Sequence, residues 1–259
     1  MSTTTEYNGR LCNQIIRNLC VSAIAKANNL YVIYSSYDRI TKLGIKLFCG
    51  NKIYNESIKV NDINFFTILN SKCISNINAD KDYFQTTEII NYLYNYLNEY
   101  ENKINIINAN PFKERYNNNN DCFIHIRLTD AINHNPGLQY YLKTIEKLFS
   151  ISSISRISSI SSISSTSTSD KLFIASDDNN NIIIKKIIEQ YPNAIIVNYN
   201  EVETIQFGST CKHIILSHGS YSAMIGYLAF YSNIYFKQID INNKWHGDLF
   251  SIPTWNCIC

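Results

Sequence analysis

From Cys122 onward the chain alternates short apolar runs with amphipathic stretches, and this rhythm restricts its fold more than any other feature. Residues 122–127 (CFIHIR) read as a strand of alternating character. Residues 172–175, 194–198, 213–217 and 233–236 read as further strands. Between them, residues 138–149, 181–190 and 220–230 carry apolar side chains at helical spacing. In the first of these helices Tyr141, Leu142, Ile145, Leu148 and Phe149 form the apolar face. Strands separated by helices predict a mostly parallel sheet with crossover helices.

The same pattern begins near the N-terminus. Ile15, Ile16, Leu19, Cys20, Ala23, Ile24 and Ala27 recur at helical spacing up to Asn28-Asn29, and residues 30–34 (LYVIY) read as a buried strand. The stretch 38–110 is less regular. Residues 86–101 predict a helix with Ile89, Ile90, Leu93, Tyr94 and Leu97 on one side, and residues 104–107 a short strand. An Asn run at 117–120 reads as a linker. The expected organisation is therefore two Rossmann-type halves, 1–116 and 117–259, with the first reduced. The Ile/Ser run at 151–169 interrupts the second half and predicts a flexible surface insertion.

Composition excludes several classes. A hydrophobic fraction of 45% is enough for a real core. The net charge of +2 provides no field for non-specific nucleic-acid or membrane binding, and Lys185-Lys186 predicts a solvated helix face. The eight cysteines are scattered without a Cys-x-x-Cys, which predicts buried free thiols and no metal site. Residues 1–8 are polar, so neither a signal peptide nor a membrane anchor is expected, and a reducing, cytoplasmic compartment fits. Heavy use of Asn, Ile, Lys, Tyr and Ser points to an AT-rich source genome.

Parallel sheets bind ligands beyond the carboxyl ends of their strands. Four segments put polar groups at such turns. In Asn8-Gly9-Arg10-Leu11-Cys12-Asn13-Gln14, glycine permits a tight turn, and Asn13 is placed to cap the helix and face a ligand. In His125-Ile126-Arg127-Leu128-Thr129-Asp130, His125 and Arg127 point the same way. Arg127 can grip a phosphate with two parallel hydrogen bonds, and Asp130 can hold Arg127 in an ion pair or face an acceptor hydroxyl. Asp177 and Asp178 end the 172–175 strand. They suit a base or ribose better than a metal, and Asp178 can also cap the next helix. In Ser217-His218-Gly219-Ser220-Tyr221-Ser222, a small-residue turn runs into a helix N-terminus, an arrangement that favours phosphate.

Together and in this order the four segments resemble the α-1,2-fucosyltransferase family. NGRLCNQ is similar to its G-x-L-G-N-Q, with Cys12 in place of the second glycine. HIRLTD resembles its H-x-R-R-x-D, and Asp177-Asp178 matches an acidic pair of related fucosyltransferases. Residues 211–236 resemble its C-terminal block, and Pro253-Thr254-Trp255 a closing Pro-x-Trp. The resemblance implies a GT-B-like fold and an inverting, metal-independent transfer of fucose from GDP-fucose to a glycan acceptor. It places Arg127 on the donor phosphates, Asp130 beside Arg127 or the acceptor, and Asp177 and Asp178 near the nucleoside. Gly219, Ser220 and Ser222 fall near the pyrophosphate, His125 beside the donor, and Asn13 closes from the first half.

The chain departs from the family at Leu128, where the second arginine is missing; Arg10 and Lys212 are the replacements to consider. This departure leaves open another deoxysugar such as rhamnose, or a non-catalytic glycan- or nucleotide-binding relative. Asp130, His134, His218 and the Trp245-His246-Gly247-Asp248 cluster are the candidate bases.

Overall fold

The computed structural model describes residues 3–5, 9–79, 82–158, 170–238 and 247–258. It is an α/β protein with two parallel sheets. The first sheet joins β1 (Thr3–Thr4), β2 (Val32–Ile33), β3 (Ser57–Val60) and β4 (Asn76–Ala79) in the order β2-β1-β4-β3. Helix α1 (Leu11–Asn28) connects β1 to β2, and α2 (Tyr37–Lys42) and α3 (Phe65–Leu69) lie in the later connections. Helices α4 (Thr87–Asn98) and α5 (Tyr100–Ala109) then lead to the second sheet.

That sheet holds β5 (Cys122–Ile126), β6 (Leu172–Ser176), β7 (Ile195–Ile196), β8 (His213–Ile215), β9 (Asn233–Phe236) and β10 (Asn256–Cys257). Their order is β10-β9-β8-β5-β6-β7, and every pairing is parallel. This is the doubly wound order 3-2-1-4-5-6 counted from β5. Helices α6 (Leu138–Ser158) and α7 (Ile182–Gln190) pack on one face. The other face carries α8 (Glu201–Gly208) and α9 (Ser220–Tyr227). The winding reverses between β5 and β8, so a crevice opens at their carboxyl ends.

Strand β5 is buried throughout, so its burial does not alternate as expected. Helices cover both faces of a central parallel strand, and each face needs its own apolar set. Cys122, Ile124 and Ile126 face the cluster under α6 and α7. Phe123 joins the other cluster, to which β6 contributes Phe173 and Ala175. That second cluster also contains Ile16, Leu19 and Leu93 of the first half with Met224 and Trp255 of the second. One apolar core therefore runs through both halves, with α1 packed on α9.

Several expectations change. Residues 104–107 lie inside α5, not in a strand. Glu99, with φ −55° and ψ 141°, ends α4 and opens α5, and Ile106 anchors the new helix in the core. The predicted 86–101 helix is thus two helices, with Thr86 accepting a capping bond from Ile89 N. Helix α6 continues to Ser158, so the first part of the Ile/Ser run extends a helix; residues 159–169 lie outside the described residues. The cysteines of the described residues are free thiols, with Cys12, Cys20, Cys73, Cys122 and Cys211 buried. Lys185 and Lys186 are exposed on α7. No helix among the described residues is long and apolar enough to cross a membrane.

Helix α8 starts at a full capping box. Asn200 Oδ1 accepts from Val202 N and Glu203 N, each at 3.0 Å, and Glu203 Oε2 accepts from Asn200 N. Asn200→Ala should lower unfolding free energy by about 1 kcal/mol in urea titration. An unchanged midpoint would mean that the cap adds nothing to α8.

Candidate active site

A cleft of about 510 Å³ lies between the two sheets, at the carboxyl ends of strands from both. The first half lines it with Gly9–Asn13, which follow β1, and with Tyr83 and Gln85, which follow β4. The second half supplies His125 of β5 with Arg127 and Asp130 beyond it, Ala175 and Ser176 of β6 with Asp177 beyond it, and Gly219–Tyr221 after β8. The register explains this grouping. Phe123 pairs with Phe173 and His125 with Ala175, so Phe123-His125-Arg127 and Phe173-Ala175-Asp177 run side by side, apolar at depth and polar at the rim.

Arg127 is held on two sides. Its Nε and Nη2 donate to Asp130 Oδ1 and Oδ2 at 3.0 and 2.7 Å, forming a two-pronged ion pair. On the other side it lies against Gly219, the residue that opens α9. A Cβ built on Gly219 would meet Arg127 Nη1 at 2.5 Å, and Gly219 has φ +99°. Only glycine allows this approach in this conformation. The guanidinium therefore crosses the start of α9, where no side chain caps the helix. Cation and helix dipole combine there at the switch point of the sheet.

Asp177 braces the turn that carries Arg127. Its Oδ1 accepts from Leu128 N at 2.7 Å, and its Oδ2 from the Thr129 hydroxyl at 2.6 Å. Burial pulls its pKa up, but these donors and nearby His125 outweigh that and leave it below the usual carboxylate value. Asp178 is not among the cleft-lining residues, nor does it cap α7. Asn181 is the cap, and Asp178 accepts from Asn180 N at 3.1 Å. The acidic pair points two ways because neighbouring residues leaving a strand diverge.

Ser220 lines the cleft, whereas Ser222 is fully buried behind it. Ser222 Oγ shares a 2.5 Å hydrogen bond with His125 Nδ1, and the ring of Tyr221 packs on the imidazole. Burial holds the His125 pKa down to about 4; the Asp177 carboxylate opposes this and Arg127 adds to it. His125 is therefore neutral near pH 7. Unfolded histidine takes up its proton near 6.5 and folded His125 only near 4, so the unfolded state binds more protons between these values. The resulting stability is complete above pH 6.5 and is lost as pH falls toward 4. Between pH 7 and 5 the loss is about 2 kcal/mol. Urea titrations should show His125→Gln with a correspondingly smaller pH dependence, the remainder coming from His213 and His218, which burial also lowers. Equal slopes in variant and parent would refute a buried neutral His125.

Asn13, expected as the cap, sits within the first turn of α1, three residues past the actual cap. Arg10 occupies the cap position, and Asn13 Oδ1 accepts from Gln85 Nε2 at 3.1 Å. Cys12 is buried in the same turn. Of the two cations considered for the missing arginine, Arg10 lines the cleft, and its Nη2 lies 3.1 Å from Asp130 Oδ2. Lys212 precedes β8, at the opposite end of the sheet. Leu128 is buried. Among the candidate bases that are described, only Asp130 lines the cleft. His218 Nε2 meets the Lys237 carbonyl at 3.2 Å and its ring packs near Phe250. Asp248 accepts from the Thr87 hydroxyl at 2.9 Å. Trp245 and His246 lie outside the described residues.

Sequence reasoning missed the wall formed by Val197, Tyr199, Glu201 and Thr204. Tyr199 packs against Phe112 and Phe207 and keeps 44% of its surface exposed. Glu201 pairs with Arg39 of the first half at 2.5 Å. The Asn200-x-x-Glu203 box was a readable signal for the start of α8 and hence for this wall. Among the described residues no three His, Cys, Asp or Glu side chains gather into a metal-holding group. Compared with known proteins, the chain matches no family model and has no significant match among curated sequences.

Proposed function

We propose that the chain is an inverting, metal-independent glycosyltransferase that moves fucose from GDP-fucose to a hydroxyl of an acceptor glycan. The observation that carries this reading is Arg127, set across the uncapped start of α9 at the sheet's switch point and inside a cleft walled by a second sheet. The order of motifs resembling α-1,2-fucosyltransferases supplies the choice of sugar. In this reading the donor diphosphate lies against Arg127, Gly219 and Ser220. As the bond between sugar and diphosphate breaks, negative charge grows on the leaving oxygen, where a guanidinium and helix N–H groups stabilise it. Neutral His125, held by Ser222, shapes the floor without adding charge. The partly exposed Tyr199 ring offers a face to the base. The acceptor enters from the side of Asn13, Tyr83 and Gln85.

One observation favours a second reading, a non-catalytic nucleotide- or glycan-binding relative. Among the described residues, the three carboxylates lining the cleft, Asp130, Asp177 and Glu201, all have partners already, so none of them stands ready to take the acceptor's proton.

The test is a thermal-shift series with GDP, UDP, dTDP and CMP, with and without EDTA, followed by a GDP-fucose hydrolysis assay. A shift with GDP that EDTA leaves unchanged, together with slow hydrolysis, is the expected result. Binding without turnover would favour the second reading. A shift with dTDP alone would change the sugar, and no shift with any nucleotide would overturn the transferase reading and favour a non-catalytic, glycan-binding relative.

A further inference from the structure

We propose that Arg10 and Arg127, one from each half, form a two-guanidinium clamp for a diphosphate, and that Asp130 is the anion the clamp holds until the diphosphate replaces it. Asp130 Oδ2 lies 2.7 Å from Arg127 Nη2 and 3.1 Å from Arg10 Nη2, while its Oδ1 lies 3.0 Å from Arg127 Nε. One carboxylate thus occupies the fork of one guanidinium and meets the second from across the cleft. A phosphoryl group presents the same planar pairs of acceptor oxygens and carries more charge.

The two arginines are built differently. Arg127 is 12% exposed and pinned against Gly219, whereas Arg10 is 67% exposed and follows Gly9, whose φ is +77°. Arg127 is the fixed jaw and Arg10 the adjustable one. Asp130 is free to leave because the turn that carries it does not depend on its ion pair. Asp177 holds Leu128 N and Thr129, and Asn135 Nδ2 donates to the Arg127 carbonyl at 2.9 Å. Rotation of the Asp130 side chain alone therefore vacates the fork. The exchange is favourable, since a 43%-exposed carboxylate gains little from an ion pair in water while a diphosphate adds charge for both guanidiniums. Asp177 and Glu201 do not compete for the clamp, because Leu128 and Thr129 hold one and Arg39 the other.

The clamp also restores, from the other half, the second cation that Leu128 lacks. In that respect the inference rests on the nucleotide-sugar reading, but inorganic pyrophosphate tests it separately. Calorimetric titrations with pyrophosphate and with GDP, at one fixed salt concentration, should compare the parent with Arg10→Ala, Asp130→Asn and the double variant. Arg10→Ala should weaken both ligands about tenfold, and Asp130→Asn should tighten both by a similar factor. In the double variant the arginine loss should persist. If Asp130→Asn weakens binding, the carboxylate orients Arg127 and the exchange is wrong. If Arg10→Ala changes neither affinity, the clamp has one jaw and the proposal fails while the transferase reading stands. If pyrophosphate follows the predicted pattern but GDP binds no tighter than pyrophosphate, the clamp stands and the nucleotide-sugar reading falls. Absence of binding by either ligand to parent and Asp130→Asn alike overturns the clamp.

Discussion

Arg127→Ala is expected to weaken GDP binding about 100-fold, roughly 3 kcal/mol, while the protein stays folded. The loss is large because the side chain is positioned before any ligand arrives. Asp177 and Asn135 hold the turn that carries it, and Gly219 lets it lie against the start of α9. Charge-assisted hydrogen bonds from such a group are roughly twice as strong as neutral ones. Stability should change little, because the ion pair lost is at the rim of the cleft and its partner is 43% exposed. Arg127→Lys should not restore affinity, since an ammonium has no planar pair of donors. Calorimetric titration with GDP reads the affinity and circular dichroism the fold. A variant that binds GDP as the parent does would remove Arg127 from the site.

The second large effect concerns stability. Trp255→Ala should cost about 4 kcal/mol and lower the melting temperature by about 10 °C. Trp255 is buried against Tyr227 and Phe250, with ring centroids at 5.6 and 6.0 Å, and also meets Phe236 and Tyr94. Tyr94 belongs to α4 of the first half, so the ring joins both halves. Gly226 of α9 is shaped to receive it: a Cβ there would come within 2.6 Å of the indole. The helix whose start meets Arg127 is thus supported from behind by the C-terminal segment. Differential scanning calorimetry reads the effect, and Trp255→Phe should recover part of it. A loss below about 1 kcal/mol would show that the segment does not pack on α9 as described.

The doubly wound second half was legible because its strands and helices are long enough to show their periods. Residues 122–127 and 213–217 could be placed from apolar runs, and the turns after them from Gly and polar residues. Arg127, Gly219 and Ser220 were therefore identifiable at strand ends from local pattern alone. β1 and β10 were not: they contain two residues each, too few for a period of two to appear, and tertiary pairing alone makes them strands, whereas the equally short β2 and β7 fall inside the predicted runs 30–34 and 194–198. Residues 104–107 show the converse: a β-branched run of strand-like composition is helical because Ile106 packs in the core.

Local pattern determined which residues leave the strands at the crevice, since chain direction and side-chain alternation are properties of neighbouring residues. Only the tertiary structure decided what meets there. It brought Arg10 across to Asp130 and left Lys212 at the far end of the sheet. It also set Ser222 behind His125 instead of in the cleft. Each of these outcomes depends on how two distant segments pack, and no spacing along a single chain encodes that distance.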